Sequence, residues 1–184
     1  EFWYRGTADA VYQNIYSIDQ ARPDAVLVLS GDHIYKMDYL RMLRSHIRKR
    51  AAVTVGAITV PLPRAHAFGV MEADDQGRIN AFVEKPAHPK AVPGQPDKAF
   101  VSMGIYIFET RLLKEKLEQD SRDADSGHDF GKDILPGLIG QVPVSPITSS
   151  TRTARISCTG ATSAASMPTG RPTWTCLGRP GVQS

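Results

Sequence analysis

Residues 25–39 read AVLVLSGDHIYKMDY, and this stretch decides the fold. Its first five residues, Ala25–Leu29, are all apolar and too few for a lone helix, so they predict a strand buried on both faces, as in a parallel sheet. Ser30 and Gly31 then turn the chain, and Asp32 follows the carboxyl end of the strand. Ligands of open α/β sheets bind at that end, and a carboxylate there can hold Mg²⁺ together with substrate phosphate oxygens. The open alternative is an aspartate that only shapes the turn and caps the next helix.

The rest of the chain alternates between predicted helices and strands. Helical spacing of apolar residues occurs at 7–22, 38–50, 111–117 and 130–139, and strand patterns occur at 52–60, 68–71, 79–84 and 100–109. The second and third of these strands are expected to form a hairpin. In the helix over 38–50, the predicted apolar face consists of Leu40, Met42, Leu43 and Ile47. The alternation predicts an α/β fold with three layers and a mostly parallel sheet.

Composition and charge exclude several classes of protein. No apolar run approaches the length of a membrane span and no signal peptide opens the sequence, so we expect a cytoplasmic protein without a membrane partner. The net charge of +3 comes from the end of the chain, because residues 1–133 carry all 19 acidic residues and 18 of the 22 Lys and Arg. The four remaining Arg are scattered, which argues against a nucleic-acid surface. Cys158 and Cys176 match no zinc or catalytic spacing.

A few polar residues stand where a phosphate could bind, and each also has a simpler explanation. Lys85 ends a strand and suits a phosphate as a point charge, although most such lysines are only surface residues. Gly6 and Thr7 open a helix whose free N–H groups could face a nucleotide, although Thr7 is also a plausible cap. Ser102 and Gly104 are small residues in a predicted strand, where a ligand could approach closely. His128 is more typical of a packing or capping histidine than of a catalyst.

Six motifs occur in a fixed order along residues 2–140. They are WYRGTADAV at Trp3–Val11, LSGDHIYKMDY at Leu29–Tyr39, FGVM at Phe68–Met71, FVEKP at Phe82–Pro86, SMGIYIF at Ser102–Phe108 and HDFGKD at His128–Asp133. In order and spacing they resemble the ADP-glucose pyrophosphorylase (glucose-1-phosphate adenylyltransferase) family. Single motifs are shared with other sugar-nucleotide pyrophosphorylases, whereas the first, second and last together are specific to this branch.

The resemblance implies a Rossmann-like sheet of the sugar nucleotidyltransferase type and a defined reaction. ATP and glucose 1-phosphate give ADP-glucose and pyrophosphate, for glycogen or starch synthesis, with Mg²⁺ as cofactor. The sugar phosphate attacks the α-phosphorus in line, which requires positioning and charge neutralisation more than covalent catalysis. The resemblance also implies a homotetramer for the full-length protein.

The same resemblance assigns roles to individual residues. Asp32 matches the catalytic, metal-binding aspartate of the family. The positions that hold glucose 1-phosphate are matched by Tyr4, Gly69, Glu84, Lys85 and Ser102. In that assignment Lys85 takes the phosphate, Glu84 and Ser102 take sugar hydroxyls, and Gly69 allows close approach of the backbone. Gly6 and Thr7 match the stretch beside the nucleotide.

Two family motifs do not occur in this sequence. The N-terminal nucleotide loop GGGxGTRL would precede Glu1, and the downstream YWRDVG, whose Asp is the second metal ligand, is missing, as is a C-terminal β-helix. We therefore expect residues 1–141 to be a partial nucleotidyltransferase catalytic domain, an internal fragment incomplete at both ends. Such a fragment is expected to be inactive and unstable by itself.

Residues 142–184 are predicted to be a disordered tail read out of frame. The codons of Tyr-Trp-Arg-Asp-Val-Gly, read one base late, give the Thr-Gly-Ala-Thr-Ser of Thr159–Ser163. Other family segments shifted in the same way give Ser149–Arg155 and Met167–Gly170. The apolar residues of this tail follow no helix or strand period, so no packed element is expected in it.

Three other functions stay open at this point. The chain could belong to a pyrophosphorylase for another sugar nucleotide, such as GDP-mannose or dTDP-glucose, against which the first and last motifs argue. It could belong to a non-catalytic regulatory subunit, against which the presence of Asp32 and Lys85 argues. It could also be a pseudogene product without activity.

Overall fold

The protein is seen in a computed structural model that describes residues 3–31, 37–74 and 78–148. The helices are α1, Thr7–Tyr12; α2, Ile15–Ala21; α3, Tyr39–Lys49; α4, Thr110–Ser121; and α5, Leu135–Leu138. A 3-10 helix covers Leu62–Ala67, and a π-helical turn, Phe130–Ile134, leads directly into α5. The strands are β1, Ala25–Leu29; β2, Val53–Pro61; β3, Gly69–Ala73; β4, Ile79–Glu84; β5, Lys98–Glu109; and β6, Val144–Thr148.

The six described strands form one mixed sheet. Its order is β4-β3-β5-β2-β6, and β1 also pairs with β5. Strand β5 runs antiparallel to β1, β2 and β3, and β6 runs parallel to β2. Four strands therefore point in one direction, and β4 and β5 point in the other. The predicted α/β class is confirmed, and most of the strands point in one direction. Most hydrogen-bonded neighbours are nevertheless antiparallel, because β5 lies between strands that run the other way.

The sheet is covered by helices on both faces, which gives the three predicted layers. Alternate residues of β5 point to opposite faces, as they do in any strand. Tyr106 and Phe108 pack with the buried residues of α1, α2, α4 and α5. Ile105 and Ile107 pack on the other face with Met42 of α3. In β1, Val26 and Val28 face the first core, whereas Ala25, Leu27 and Leu29 face the second.

The first predicted helix is divided into two. It is interrupted at Gln13 and Asn14, where the Asn14 side-chain amide donates a 2.8 Å hydrogen bond to the carbonyl oxygen of Ala10. Asparagine competes for backbone groups in this way, and such competition ends or bends helices. The turn lets α1 and α2 pack at different places on the same face of the sheet.

The predicted apolar face of α3 is only partly correct. Met42 is fully buried, but Leu40 and Ile47 are 62% and 65% exposed. The side chain that is buried beside Met42 is His46, whose Nδ1 lies 2.9 Å from the hydroxyl oxygen of Thr54 on β2. The helix is thus rotated toward a polar pair that hydrophobic spacing does not reveal.

The sheet continues beyond the predicted end of the domain. Residues 144–148 form β6 and pair with β2, so the prediction that nothing after residue 141 packs is wrong for this segment. Val144 is buried in the main core, and its burial stabilises the added strand. Pro146 lacks an N–H group, which a strand tolerates at the edge of a sheet. The remainder of the predicted tail, 149–184, lies outside the described residues.

None of the helices in the described ranges has both the length and the apolar character needed to cross a bilayer.

Candidate functional site

The site is built around a bulge in β5. Val55 of β2 pairs with Tyr106, but Ala57 pairs with Ser102, so the single residue Gly56 stands opposite three residues of β5. Strand β5 therefore has two extra residues at this point, and Gly104 within them has a φ of +66°. Bulges of this kind redirect side chains and are frequent beside binding sites.

The bulge brings two hydroxyl groups together. The Ser102 hydroxyl accepts a hydrogen bond from the Gly104 N–H at 3.1 Å and donates to the Tyr106 hydroxyl at 3.4 Å. Ser102 is partly buried, so its position is fixed by these contacts before any ligand arrives. Sequence patterns indicated small residues here, but not the bulge that orients them.

Two strand ends meet the bulge along one edge of β5. Strand β1 pairs with β5 as far as Leu29 and Ile105, and β3 begins to pair at Val70 and Val101. The edge between these pairs, residues 102–104, therefore lies between the end of β1 and the start of β3. A Cβ added to Gly104 would lie 3.3 Å from the Cβ of Ser30, which shows how closely the end of β1 approaches.

Asp32, the predicted catalytic and metal-binding residue, follows Ser30 by two positions and lies outside the described residues. Its role stays a prediction. In residues 3–31, 37–74 and 78–148, no group of three or more acidic, His or Cys side chains is arranged to hold a metal ion.

Gly69, Glu84 and Lys85 lie together at one end of the hairpin formed by β3 and β4. Gly69 pairs directly with Glu84, and its neighbour Val70 pairs with Val101, so the register also brings Gly69 beside Ser102. A Cβ on Gly69 would collide with the Phe82 ring and lie 2.8 Å from Glu84 Oε2, so a larger residue here would have to displace these side chains. Four of the predicted residues thus converge on one edge of the sheet.

Lys85 is held by its backbone rather than by its side chain. Its N–H donates a 3.0 Å hydrogen bond to the Phe68 carbonyl oxygen, and its φ of +48° is uncommon for a residue other than glycine. The ammonium lies 3.8 Å from Glu84 Oε1 and its side chain is 65% exposed. An exposed cation beside a half-buried carboxylate can contact a phosphate without first breaking a buried ion pair.

The loop before α5 forms another wall of this region. A Cβ added to Gly131 would lie 3.1 Å from Glu84 Oε2, so the loop and the carboxylate are in close contact. Asp129 Oδ1 accepts hydrogen bonds from the N–H groups of Gly131 and Lys132, at 2.8 Å and 3.1 Å. These bonds cap the π-helical turn and fix the loop next to Glu84.

Gly6 and Thr7 pack against the other side of the same loop. The expected N-cap at Thr7 is wrong, because Gly6 is the N-cap and makes no side-chain bond. A Cβ on Gly6 would lie 2.5 Å from the Gly127 carbonyl oxygen and would collide with that of His128. The Thr7 hydroxyl donates to Asp129 Oδ2. These packing roles leave the predicted nucleotide contacts of both residues untested.

Tyr4, the remaining predicted sugar-phosphate residue, precedes this junction in the N-terminal segment. It is 45% exposed and therefore accessible to a ligand. No contact of Tyr4 with Glu84, Lys85 or Ser102 is described, so its role also stays a prediction.

His128 has the packing role expected from sequence. It is 2% exposed, and its Nδ1 lies 2.8 Å from Asp120 Oδ2. The Ser126 hydroxyl donates to the other oxygen of the same carboxylate at 2.6 Å, and the His128 carbonyl oxygen accepts the Ala8 N–H at 2.8 Å. Buried polar groups satisfied in this way stabilise a loop rather than act on a substrate.

Sequence reasoning missed the contacts of Asp129 and Gly131 with the site, and it indicated Gly104 only as a small residue that a ligand could approach. The first two lie within the HDFGKD motif, so the motif itself was the available signal. Their proximity to Thr7 and Glu84 depends on contacts between segments distant in sequence, which no local pattern contains.

Comparisons with known proteins found a matching family and several similar proteins. The model of the family described as nucleotidyl transferase matches residues 3–150. The chain is 56% identical over 137 residues to the glucose-1-phosphate adenylyltransferase of Dechloromonas aromatica, covering 74% of this chain and 31% of that protein. It is 55% identical over 139 residues to the protein of that name from Rhodopseudomonas palustris, covering 76% and 33%. It is 56% identical over 137 residues to the protein of that name from Granulibacter bethesdensis, covering 74% of this chain and 33% of that protein. The chain thus spans about a third of the length of these relatives.

Proposed function

The chain belongs to the nucleotidyl transferase family, and we propose that it forms part of an enzyme that makes ADP-glucose and pyrophosphate from ATP and glucose 1-phosphate. The names of the similar proteins support this choice of substrates over other sugar nucleotides. The observation that carries the proposal is the register of β3, β4 and β5. It brings Gly69, Glu84 and Ser102 to one edge of the sheet, where β1 ends.

In this proposal the sugar phosphate binds along that edge. Lys85 contacts the phosphate as a cation on an exposed side chain, and Glu84 and Ser102 accept hydrogen bonds from sugar hydroxyls. Gly69 leaves the space that the Glu84 carboxylate occupies. Tyr4 adds an aromatic side chain near the sugar, and Gly6 and Thr7 face the nucleotide.

The metal of the reaction is proposed to be Mg²⁺. The proposed ligand of the ion on this chain is the carboxylate of Asp32, which follows β1 in the sequence. Mg²⁺ commonly takes one or two carboxylates and completes its shell with substrate phosphate oxygens and water, so a donor set of this chemistry fits the ion. When bound, the ion neutralises charge on the phosphates, while the residues of this chain hold the sugar phosphate in position.

Positioning is the contribution that these residues can make to catalysis. Phosphoryl and nucleotidyl transfer need the attacking oxygen in line with the phosphorus, and most of the rate gain comes from orientation and charge stabilisation. A sugar held by Glu84 and Ser102, with its phosphate on Lys85, is restricted in rotation. The attacking phosphate oxygen is thereby oriented for the nucleotide.

The wider context belongs to the same proposal. It comprises a homotetramer of the full-length protein, a cytoplasmic location and a role in glycogen or starch synthesis. These parts rest on the family resemblance and not on described contacts.

Binding of glucose 1-phosphate to the 184-residue chain, under conditions in which circular dichroism shows it to be folded, tests the proposal. Isothermal titration calorimetry is carried out on the wild type, on Lys85→Gln and on Lys90→Gln, a matched exposed lysine that pairs with Glu72 instead. Loss of one charge-assisted hydrogen bond should weaken binding about tenfold or more in Lys85→Gln, with little change in Lys90→Gln. Absence of binding to the wild type, or equal affinities for the two variants, would count against the proposal.

A further inference from the structure

We propose that Gly104 is a positioning residue. It fixes the position of the sugar-binding hydroxyl of Ser102 relative to the end of β1, which lies beside β5. The inference rests on the proposed function, because it concerns how the same site is kept in shape. Gly104 is not itself expected to touch a substrate.

The backbone conformation at Gly104 favours glycine. Its φ of +66° lies in the left-handed region, which side-chain-bearing residues other than Asn and Asp rarely adopt. A regular strand has negative φ throughout, so this conformation is what allows β5 to leave the ladder and return to it.

The bulge changes the distance between Ser102 and Tyr106. In an unbroken strand, residues four positions apart are separated by about 13 Å, and their hydroxyls could not meet. Here both residues pair with positions only two apart on β2, Ala57 and Val55, which corresponds to about 7 Å. The two hydroxyls consequently lie 3.4 Å apart.

Gly104 also fixes the direction of the Ser102 side chain. Its N–H donates to Ser102 Oγ at 3.1 Å, so the hydroxyl that is proposed to bind the sugar is oriented by the bulge itself. Loss of the bulge would separate this donor from Ser102 Oγ and release Ser102 to other rotamers.

The other side of Gly104 faces the end of β1. An added Cβ would lie 3.3 Å from Ser30 Cβ and 3.8 Å from its Oγ, which is tight for the first of these contacts. Ser30 leads into the segment that contains Asp32. One small residue thus links the two strand segments that carry the proposed sugar and metal contacts.

Two substitutions separate the effect of the Gly104 backbone conformation from the effect of the space beside Ser30. Gly104→Ala both strains the backbone and crowds Ser30, whereas Gly104→Asn crowds Ser30 but tolerates the left-handed conformation. The matched control is Gly94→Ala, because Gly94 has a φ of +74° and nothing within 4 Å of an added Cβ. Both alanine variants lose a left-handed glycine, but only one is at the site.

The decisive experiment records amide NMR spectra and glucose 1-phosphate titrations for each of these variants. The same two measurements are made on a double variant that combines Gly104→Ala with Ser30→Gly. In Gly104→Ala, the amide signals of both Ser30 and Ser102 should shift, and affinity for glucose 1-phosphate should fall about tenfold, the equivalent of one lost hydrogen bond. Gly104→Asn should lose less affinity, Ser30→Gly should restore part of the loss, and Gly94→Ala should behave as the wild type in both measurements.

The outcomes distinguish this inference from the proposed function. A wild type that does not bind glucose 1-phosphate overturns the proposed function, while the NMR shifts still test the link between Ser30 and Ser102. A wild type that binds, with Gly104→Ala binding equally well or shifting only one of the two signals, overturns the inference alone. If Gly104→Ala does not fold, the milder Gly104→Asn supplies the same two measurements, and unchanged shifts and affinity in it overturn the inference.

Discussion

The hydroxyl of Thr7 joins the two ends of the described fold. It donates a 3.0 Å hydrogen bond to Asp129 Oδ2, a residue 122 positions away, and it accepts the Phe130 N–H at 3.0 Å. Asp129 in turn caps the loop that contacts Glu84 through Gly131. The N-terminal helix is therefore connected to the proposed sugar site by a chain of three contacts.

Replacing Thr7 by Val should lower the free energy of unfolding by about 1–2 kcal/mol. Valine has the same shape but removes both hydrogen bonds and leaves the Phe130 N–H without its acceptor. The matched control is Thr7→Ser, which keeps the hydroxyl and should lose less. Urea denaturation followed by circular dichroism measures both, and equal losses in the two variants would show that the methyl group, not the hydroxyl, is important.

Gly6→Ala should destabilise the fold by about 1–3 kcal/mol. The new Cβ meets backbone carbonyl oxygens of the Gly127–His128 loop, which cannot move aside as a flexible side chain can. Gly137→Ala is the control, since nothing lies within 4 Å of an added Cβ there and alanine favours a helix. Urea midpoints should fall for the first variant and stay or rise for the second. A Gly6→Ala protein as stable as the wild type contradicts the described packing of α1.

Stability should decrease as the pH falls below about 6.5, in part because of His46. Burial lowers the pKa of His46, and the negative charge of Glu109 raises it to a smaller extent. A depressed pKa means that the unfolded chain takes up the proton before the folded chain does. The free energy of unfolding therefore falls through the unfolded-state pKa and levels off below the folded-state pKa.

The contribution of His46 is isolated by substitution. His46→Gln should show a smaller difference in unfolding free energy between pH 7.5 and 5.5 than the wild type, whereas replacement of the exposed His66 by Gln should leave the difference in place. Chemical denaturation at the two pH values measures this. An identical difference in His46→Gln and in the wild type would exclude His46 as its source.

Gly131→Ala should weaken the binding of glucose 1-phosphate by up to about tenfold, with a small effect on stability. The added Cβ comes within 3.1 Å of Glu84 Oε2 and 3.3 Å of Asp129 Oδ1, so the Glu84 carboxylate has to shift. Gly137→Ala, in the helix that follows, serves as the comparison. Calorimetric titration gives both affinities, and a Gly131→Ala chain with wild-type affinity would mean that Glu84 does not need its described position.

The end of the packed domain can be measured by truncation. A chain that ends at Thr148 should keep the unfolding free energy of the whole chain, because the sequence beyond it follows no helix or strand period. A chain that ends at Val142 should lose at least about 2 kcal/mol, since it removes the buried Val144 and the pairing with β2. Equal stability of the two truncated chains would show that β6 contributes nothing.

The elements with a strong local signal were predictable from sequence. The strand over 79–84 has the predicted bounds, and α3 begins after Asp38, whose carboxylate accepts the Arg41 N–H at 3.1 Å. Both depend on short-range effects, alternation in one case and capping in the other. By contrast, the predicted helix over 130–139 begins as a π-helical turn, in which the Asp129 carbonyl oxygen accepts hydrogen bonds from the N–H groups of both Asp133 and Ile134.

Positions that depend on distant partners were not predictable. Leu40 and Ile47 have the spacing of a buried face, but both are exposed, and His46 is buried instead, beside Thr54 of β2. In the same way, the residue pattern does not indicate that β5 has two extra residues opposite Gly56. The number of extra residues depends on how β2 pairs with β5.

The α/β class, the alternation of strands and helices apart from β6 and the division of the first helix, and the candidate residues Glu84, Lys85 and Ser102 were determined by the sequence alone, because apolar periodicity and short motifs are local properties. Only the tertiary structure decided that β5 runs against its three neighbours and that the hydroxyl groups of Ser102 and Tyr106 meet. The reason is physical. Strand direction and register result from contacts between segments far apart in the chain, and those contacts exist only once the sheet has formed.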